Sequence, residues 1–168
     1  PGIVVLIATM MTPYSFWRRL VMPLLIGVII LLLLVFVPSI NLSYGGAARW
    51  VHLGFFTVQP AEFAKLAVVL YLAALFSNRE KLQGDIQEAF VPFLVVVGLI
   101  SLLIIKQPDM GTLVVVCGSA MIIYFLAGAN IKRLWAILGA GVVSILILIR
   151  LAPYRMARLS AFLNPESD

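Results

Sequence analysis

Charge is what this sequence has least of. Asp, Glu, Lys and Arg make up 11% of its 168 residues, against about 25% in a soluble domain. A chain so poor in charge cannot cover a water-facing surface, which excludes a soluble globular fold. Cysteine occurs once, at Cys117. A single thiol forms no intrachain disulfide, and its place inside an apolar run marks a small packing residue. Histidine also occurs once, at His52, and no zinc-type ligand spacing exists in the chain. His52 reads as interfacial, and no metal site is expected. What the chain has instead is 63% hydrophobic residues, gathered in runs close to the ~20 residues that span a bilayer.

The formal net charge is +5. The basic residues lie in short loops between apolar runs, so topology and anionic membrane lipid account for them and no nucleic acid is expected. The spacing of the runs predicts a truncated helix at 1–11 and transmembrane helices at 20–38, 60–77, 89–105, 112–128 and 134–151. Thr12 to Arg19 reads as a polar turn, and Pro23 falls in the first turn of the 20–38 span. Ser39 to Val58 reads as a loop, with Gly45-Gly46 as a turn signal. Pro60 stands at a first helical position, where its missing N–H costs nothing. The expectation is an all-α, polytopic transmembrane helix bundle, with residues 1–168 as a single membrane domain. The start without Met and the end inside a loop suggest an internal fragment, for which no signal peptide can be judged.

Alternate loops fall on opposite sides of the membrane. One side holds Arg18, Arg19, Arg79, Lys81, Lys132 and Arg133; the other holds Arg49, Lys106, Arg150, Arg155 and Arg158. The first set sits in every loop of its side, all short, which assigns that side to the cytoplasm. The second set then lies outside, beside Trp50, Tyr154 and Phe162. Either it anchors the chain to anionic headgroups, or it binds a phosphorylated lipid at the outer leaflet.

Glu62 and Lys65 are three residues apart at the outer start of a span, and therefore share one helix face. Ionisable groups at such depth are costly and are functional candidates by default. The plainer reading is a structural ion pair with Lys65 snorkelling. Gln59 precedes that helix, and Lys106, Gln107 and Asp109 fall in a tight outer turn. Asp109 also fits an Asx-type turn after Pro108. Asp168, alone in a loop, carries no signal of its own.

Four blocks of the sequence resemble one family. They are Gly46-Ala47-Ala48-Arg49-Trp50; Gln59-Pro60-Ala61-Glu62-Phe63-Ala64-Lys65; Gln107-Pro108-Asp109-Met110-Gly111-Thr112; and Pro153-Tyr154-Arg155 with Arg158, Phe162 and Asn164 to Asp168. In order and spacing they resemble the SEDS (shape, elongation, division, sporulation) membrane proteins of the FtsW/RodA type, and the run Tyr154 to Phe162 is nearer the FtsW branch. The chain departs from the usual pattern at Gly45, Ala61, Met110 and Asn164, none of them charged.

The resemblance implies a ten-helix peptidoglycan glycosyltransferase of the bacterial cytoplasmic (inner) membrane, at the division septum. Such an enzyme polymerises lipid II outside the membrane with a class B penicillin-binding protein and other divisome membrane proteins. About six of the ten helices would be present here, 152–168 would begin a large external loop, and this stretch alone would be inactive. By the same resemblance Asp168 is the catalytic carboxylate. Arg49, Trp50, Gln59, Lys65, Gln107, Asp109, Arg155 and Arg158 would bind substrate, and Glu62–Lys65 would form a structural ion pair. No cofactor is required, although a divalent cation (Mg or Mn) would suit the pyrophosphate. Two other classes fit the same charges: a lipid II flippase or ion-coupled transporter, and a non-catalytic divisome scaffold.

Overall fold

The computed structural model describes residues 2–38, 41–44, 47–52, 54, 56–77, 86–128 and 131–150. They fall in two units, residues 1–128 and 129–168. In the first unit the elements run α1 (Gly2–Met11), α2 (Tyr14–Leu34), β1 (Asn41–Tyr44), β2 (Ala47–His52), β3 (Thr57–Val58) and α3 (Pro60–Phe76), followed by α4 (Ile86–Lys106) and α5 (Met110–Leu126). The second unit holds α6 (Ile131–Arg150), whose Trp135, Leu138, Val142 and Val143 are exposed.

Helix α3 is the hub. It packs against α2, α4, α5 and strand β2. Its sequence explains this: Ala61, Ala64 and Ala67 are fully buried with Val68 and Leu72. Small side chains let neighbouring backbones approach closely, which is how helices associate where lipid removes the usual hydrophobic drive. Helix α2 presents Val21, Leu25, Val28 and Leu32, a single stripe at helical spacing. The opposite side of α2 leaves Met22, Ile26, Ile30 and Leu33 exposed, a surface suited to lipid. Tyr14–Leu34 and Ala89–Lys106 are long and apolar enough to cross a membrane by length and composition, and Met110–Leu126 is a shorter apolar helix. One end of the hub is closed by rings: Phe93 stacks on Tyr124 at 4.8 Å, and Phe76 lies 5.7 Å from Tyr124.

Several boundaries differ from those expected. Helix α2 starts at Tyr14, taking in Arg18 and Arg19, because nothing between Pro13 and Pro23 breaks a helix. Pro13 is its N-cap, in an extended conformation that proline favours. Pro23 therefore lies in the helix interior rather than its first turn, a place membrane helices tolerate because neighbouring groups re-satisfy the freed carbonyl. Helix α6 likewise starts early enough to include Lys132 and Arg133.

The largest difference is in Ser39 to Val58, read as a loop. Its described residues include a three-stranded antiparallel sheet in the order β1-β2-β3. Asn41 pairs with Val51, Leu42 with Trp50 and Val51 with Val58, with an irregularity between Leu42 and Ser43. β-Branched and aromatic residues such as Trp50, Val51, Thr57 and Val58 favour strands. Residues 45 and 46, between β1 and β2, lie outside the described residues.

Candidate functional site

The end of α2, the sheet, the start of α3 and the α4–α5 turn meet at one end of the first unit, and its buried polar side chains gather there. Gln107 is 1% exposed, Asp109 7% and Thr112 8%, in a molecule whose buried side chains are otherwise apolar among the described residues. A buried polar group is costly unless hydrogen-bonded, so the partners define the site.

Asp109 is the N-cap of α5. Its Oδ1 accepts from Thr112 N at 3.3 Å, and its Oδ2 accepts from Thr112 Oγ1 at 2.8 Å. The sequence Asp-Met-Gly-Thr produces this, since a carboxylate before the first turn serves the orphan N–H groups of a helix. That cap is why α5 begins at Met110, ahead of the expected start at 112. Gln59 occupies the N-cap position of α3 yet makes no side-chain cap bond there. Its Nε2 instead donates to Asp109 Oδ2 at 3.4 Å. One carboxylate thus joins the starts of α3 and α5.

The turn before Asp109 is held from two other directions. Arg49 Nε donates to Gln107 O at 3.3 Å, and Arg49 Nη2 to Pro108 O at 2.6 Å. Gln107 Nε2 donates to Leu32 O, in the last turn of α2, at 3.2 Å. Gln107 Oε1 is buried without a hydrogen-bond partner. Flipping the amide would set an oxygen against Leu32 O, so the orientation follows from the donor requirement.

Glu62 and Lys65 form the expected pair, with Lys65 Nζ 2.8 Å from Glu62 Oε2 and 2.9 Å from Glu62 Oε1. The side chains are 54% exposed for Glu62 and 33% for Lys65. This is a solvent-accessible pair on the first turns of α3, following Gln59.

Of the residues singled out from sequence, Arg49, Gln59, Gln107 and Asp109 are joined in one hydrogen-bonded cluster. Trp50 is separated from Arg49 by strand alternation: successive side chains on β2 point to opposite faces. Arg49 and Val51, which is fully buried, share the inner face; Trp50 shares the other with exposed His52. Asp168, Arg155 and Arg158 lie outside the described residues. Sequence reasoning passed over Thr112, although an Asp three residues before a Thr at a helix start is a capping signal. The Leu32 carbonyl and the carbonyls that receive Arg49 have no sequence signal at all.

Comparison with known proteins agrees with this architecture. The model of the FtsW/RodA/SpoVE family, described as cell cycle protein, matches residues 1–168. The probable peptidoglycan glycosyltransferase FtsW of Trichlorobacter lovleyi is 38% identical over 170 residues, covering 99% of this chain and 44% of that protein. The FtsW of Pseudomonas fluorescens, described in the same words, is 39% identical over 171 residues, 99% of this chain and 41% of that protein. Stage V sporulation protein E of Bacillus subtilis is 34% identical over 167 residues, 99% of this chain and 46% of that protein. Among solved structures, a chain from a peptidoglycan synthase complex superposes with a TM-score of 0.74 at 25% identity, over 99% of this chain and 49% of that one. The rod shape determining protein RodA of Thermus thermophilus superposes with a TM-score of 0.70 at 25% identity, over 89% of this chain and 46% of that one. The chain spans less than half the length of these curated relatives. It is a polytopic bacterial membrane protein, and it belongs to the FtsW/RodA/SpoVE family of cell cycle proteins.

Proposed function

We propose that the protein is a peptidoglycan glycosyltransferase that polymerises lipid II at the outer face of the cytoplasmic membrane during cell division. The observation that carries this reading is the polar cluster. Arg49, Gln59, Gln107, Asp109 and Thr112 rigidify one end of an apolar bundle, and Glu62–Lys65 stands accessible beside it on α3. A rigid polar rim at one membrane face suits an enzyme that receives a lipid-linked substrate from that leaflet. The relatives named as glycosyltransferases support the chemistry. The relative drawn from a peptidoglycan synthase complex supports a transpeptidase partner, a class B penicillin-binding protein. The cations carried by every short loop of the opposite side support the outward orientation of this one.

In the reaction a sugar hydroxyl attacks the anomeric carbon of a second lipid II. The new glycosidic bond forms as the bond to the lipid pyrophosphate breaks, and the pyrophosphate leaves with the electron pair. Asp168 is the proposed general base, taking the proton of the attacking hydroxyl. Arg155 and Arg158 are the proposed cations that stabilise the charge of the leaving pyrophosphate, and Lys65 is a further candidate. Glu62 holds Lys65 in place. Among the described residues no group of three His, Cys, Asp or Glu side chains could hold a metal ion, so no step is assigned to a divalent cation.

Polymerisation of lipid II by the full protein with its transpeptidase partner tests this, run beside translocation of labelled lipid in liposomes. Polymerisation by wild type, with loss of at least about a hundredfold in Asp168→Asn, is the expected result. Wild-type rates from a normally folded Asp168→Asn would remove the general-base assignment. Translocation without polymerisation would make the protein a carrier.

A further inference from the structure

Arg49 differs from the rest of the cluster in what it holds. Both its contacts are main-chain oxygens, those of Gln107 and Pro108, just past the end of α4. Carbonyls at a helix C-terminus lack intrahelical donors and carry the negative end of the helix dipole. A guanidinium offers several N–H donors in a fixed planar fork, which matches two consecutive carbonyls in a way a flexible ammonium does not. Arg49 is delivered from β2, whose neighbouring Val51 is fully buried and whose strand packs on α3. The next residue after the second carbonyl is Asp109, the carboxylate that collects Thr112 and Gln59. Fixing carbonyls 107 and 108 therefore fixes the peptide leading into Asp109. Gln107 anchors the same turn from its other side, through Leu32 O.

We propose that Arg49 is a positioning residue: it ties strand β2 to the α4–α5 turn, and so sets where Asp109 and the starts of α3 and α5 stand at the rim of the site. This assignment rests on the polymerase reading and reverses the expectation that Arg49 binds the substrate directly. An anion reaching for its Nε and Nη2 would have to displace two charge-assisted hydrogen bonds that are already part-buried.

The test uses the full protein with its transpeptidase partner and the variants Arg49→Ala and Arg49→Lys. Steady-state polymerisation is measured against lipid II concentration, per mole of folded protein, with a polyprenyl pyrophosphate as competing inhibitor. Amide hydrogen exchange at Thr112 is followed in parallel. A misplaced rim lowers kcat by roughly tenfold to a hundredfold, while KM and the inhibition constant stay within about twofold of wild type. Arg49→Lys, which keeps the charge and loses the fork, stays nearer to Arg49→Ala than to wild type. The Thr112 amide exchanges faster in both variants, because its acceptor Asp109 is no longer held. A rise of about tenfold in KM and in the inhibition constant, with kcat unchanged, would overturn the proposal in favour of a pyrophosphate contact. Full rescue by lysine, an unaltered kcat per folded molecule, or unaltered exchange at Thr112 would overturn it as well. If wild type does not polymerise lipid II, the polymerase reading fails, and the exchange at Thr112 still decides whether Arg49 holds the turn.

Discussion

Replacing Asp109 by alanine removes one acceptor from three donors at once. The N-cap of α5 is lost, which costs about 0.5–2 kcal/mol. The Thr112 hydroxyl, in a residue only 8% exposed, is left to find a new acceptor, and a buried donor without one costs about 1–3 kcal/mol. Gln59 is half-buried, so water can serve its amide at little further cost. Together these give a destabilisation of about 2–4 kcal/mol for Asp109→Ala. Thr112→Val removes only the 2.8 Å bond to Oδ2, leaving the Thr112 amide on Oδ1. It should cost about 1–2 kcal/mol. Equilibrium unfolding of the full protein in mixed detergent micelles reads both, and the double variant completes a cycle. Once Asp109 is gone the Thr112 hydroxyl has no charged partner to lose, so the two changes should fall short of additivity by about 1–2 kcal/mol. Strict additivity, or an Asp109→Ala protein within about 0.5 kcal/mol of wild type, would show that this carboxylate does not hold the starts of α3 and α5 together.

The remaining predictions concern other parts of the molecule. Glu62→Gln should change stability by less than about 1 kcal/mol, because the pair is solvent-accessible; polymerisation should fall more than in the Glu62→Lys, Lys65→Glu exchange if the pair works by charge compensation, and equal losses would assign each residue a position-specific role. Phe93→Ala, at a buried ring stacked on Tyr124, should cost about 3–5 kcal/mol in the same unfolding assay. Leu32→Ala should cost about 2–5 kcal/mol by opening a cavity beside the turn, with the Gln107–Leu32 bond retained because it uses the main-chain oxygen.

The helices were legible because they coincide with long apolar runs, and the Glu62–Lys65 pair because two opposite charges three apart share a helix face. Their ends were less so. Arg18 and Arg19 look like a turn by hydropathy, yet a helix can continue through charges until a proline or a lost cap stops it. The sheet escaped because strands of this length depend on partners: Val51 becomes a strand residue by pairing with Asn41 and Val58. Arg49 was legible as a residue, but the oxygens it holds were not, since a main-chain carbonyl has no residue type. Asp109 was visible both as a polar turn residue and as a motif residue, and only Thr112 distinguishes the cap from a free carboxylate.

The ring cluster at one end of the hub and the polar cluster at the other give α3, α4 and α5 two fixed ends. Between them, α4 and α5 meet through buried Ile100, Val116 and Ala120 and through the 3.4 Å contact of Ser101 Oγ with Cys117 Sγ. A rod clamped at both tips can bow outward at its middle but cannot slide along its neighbour or swing open. A ligand reaching the polar rim would meet groups that keep their spacing while the membrane around them fluctuates.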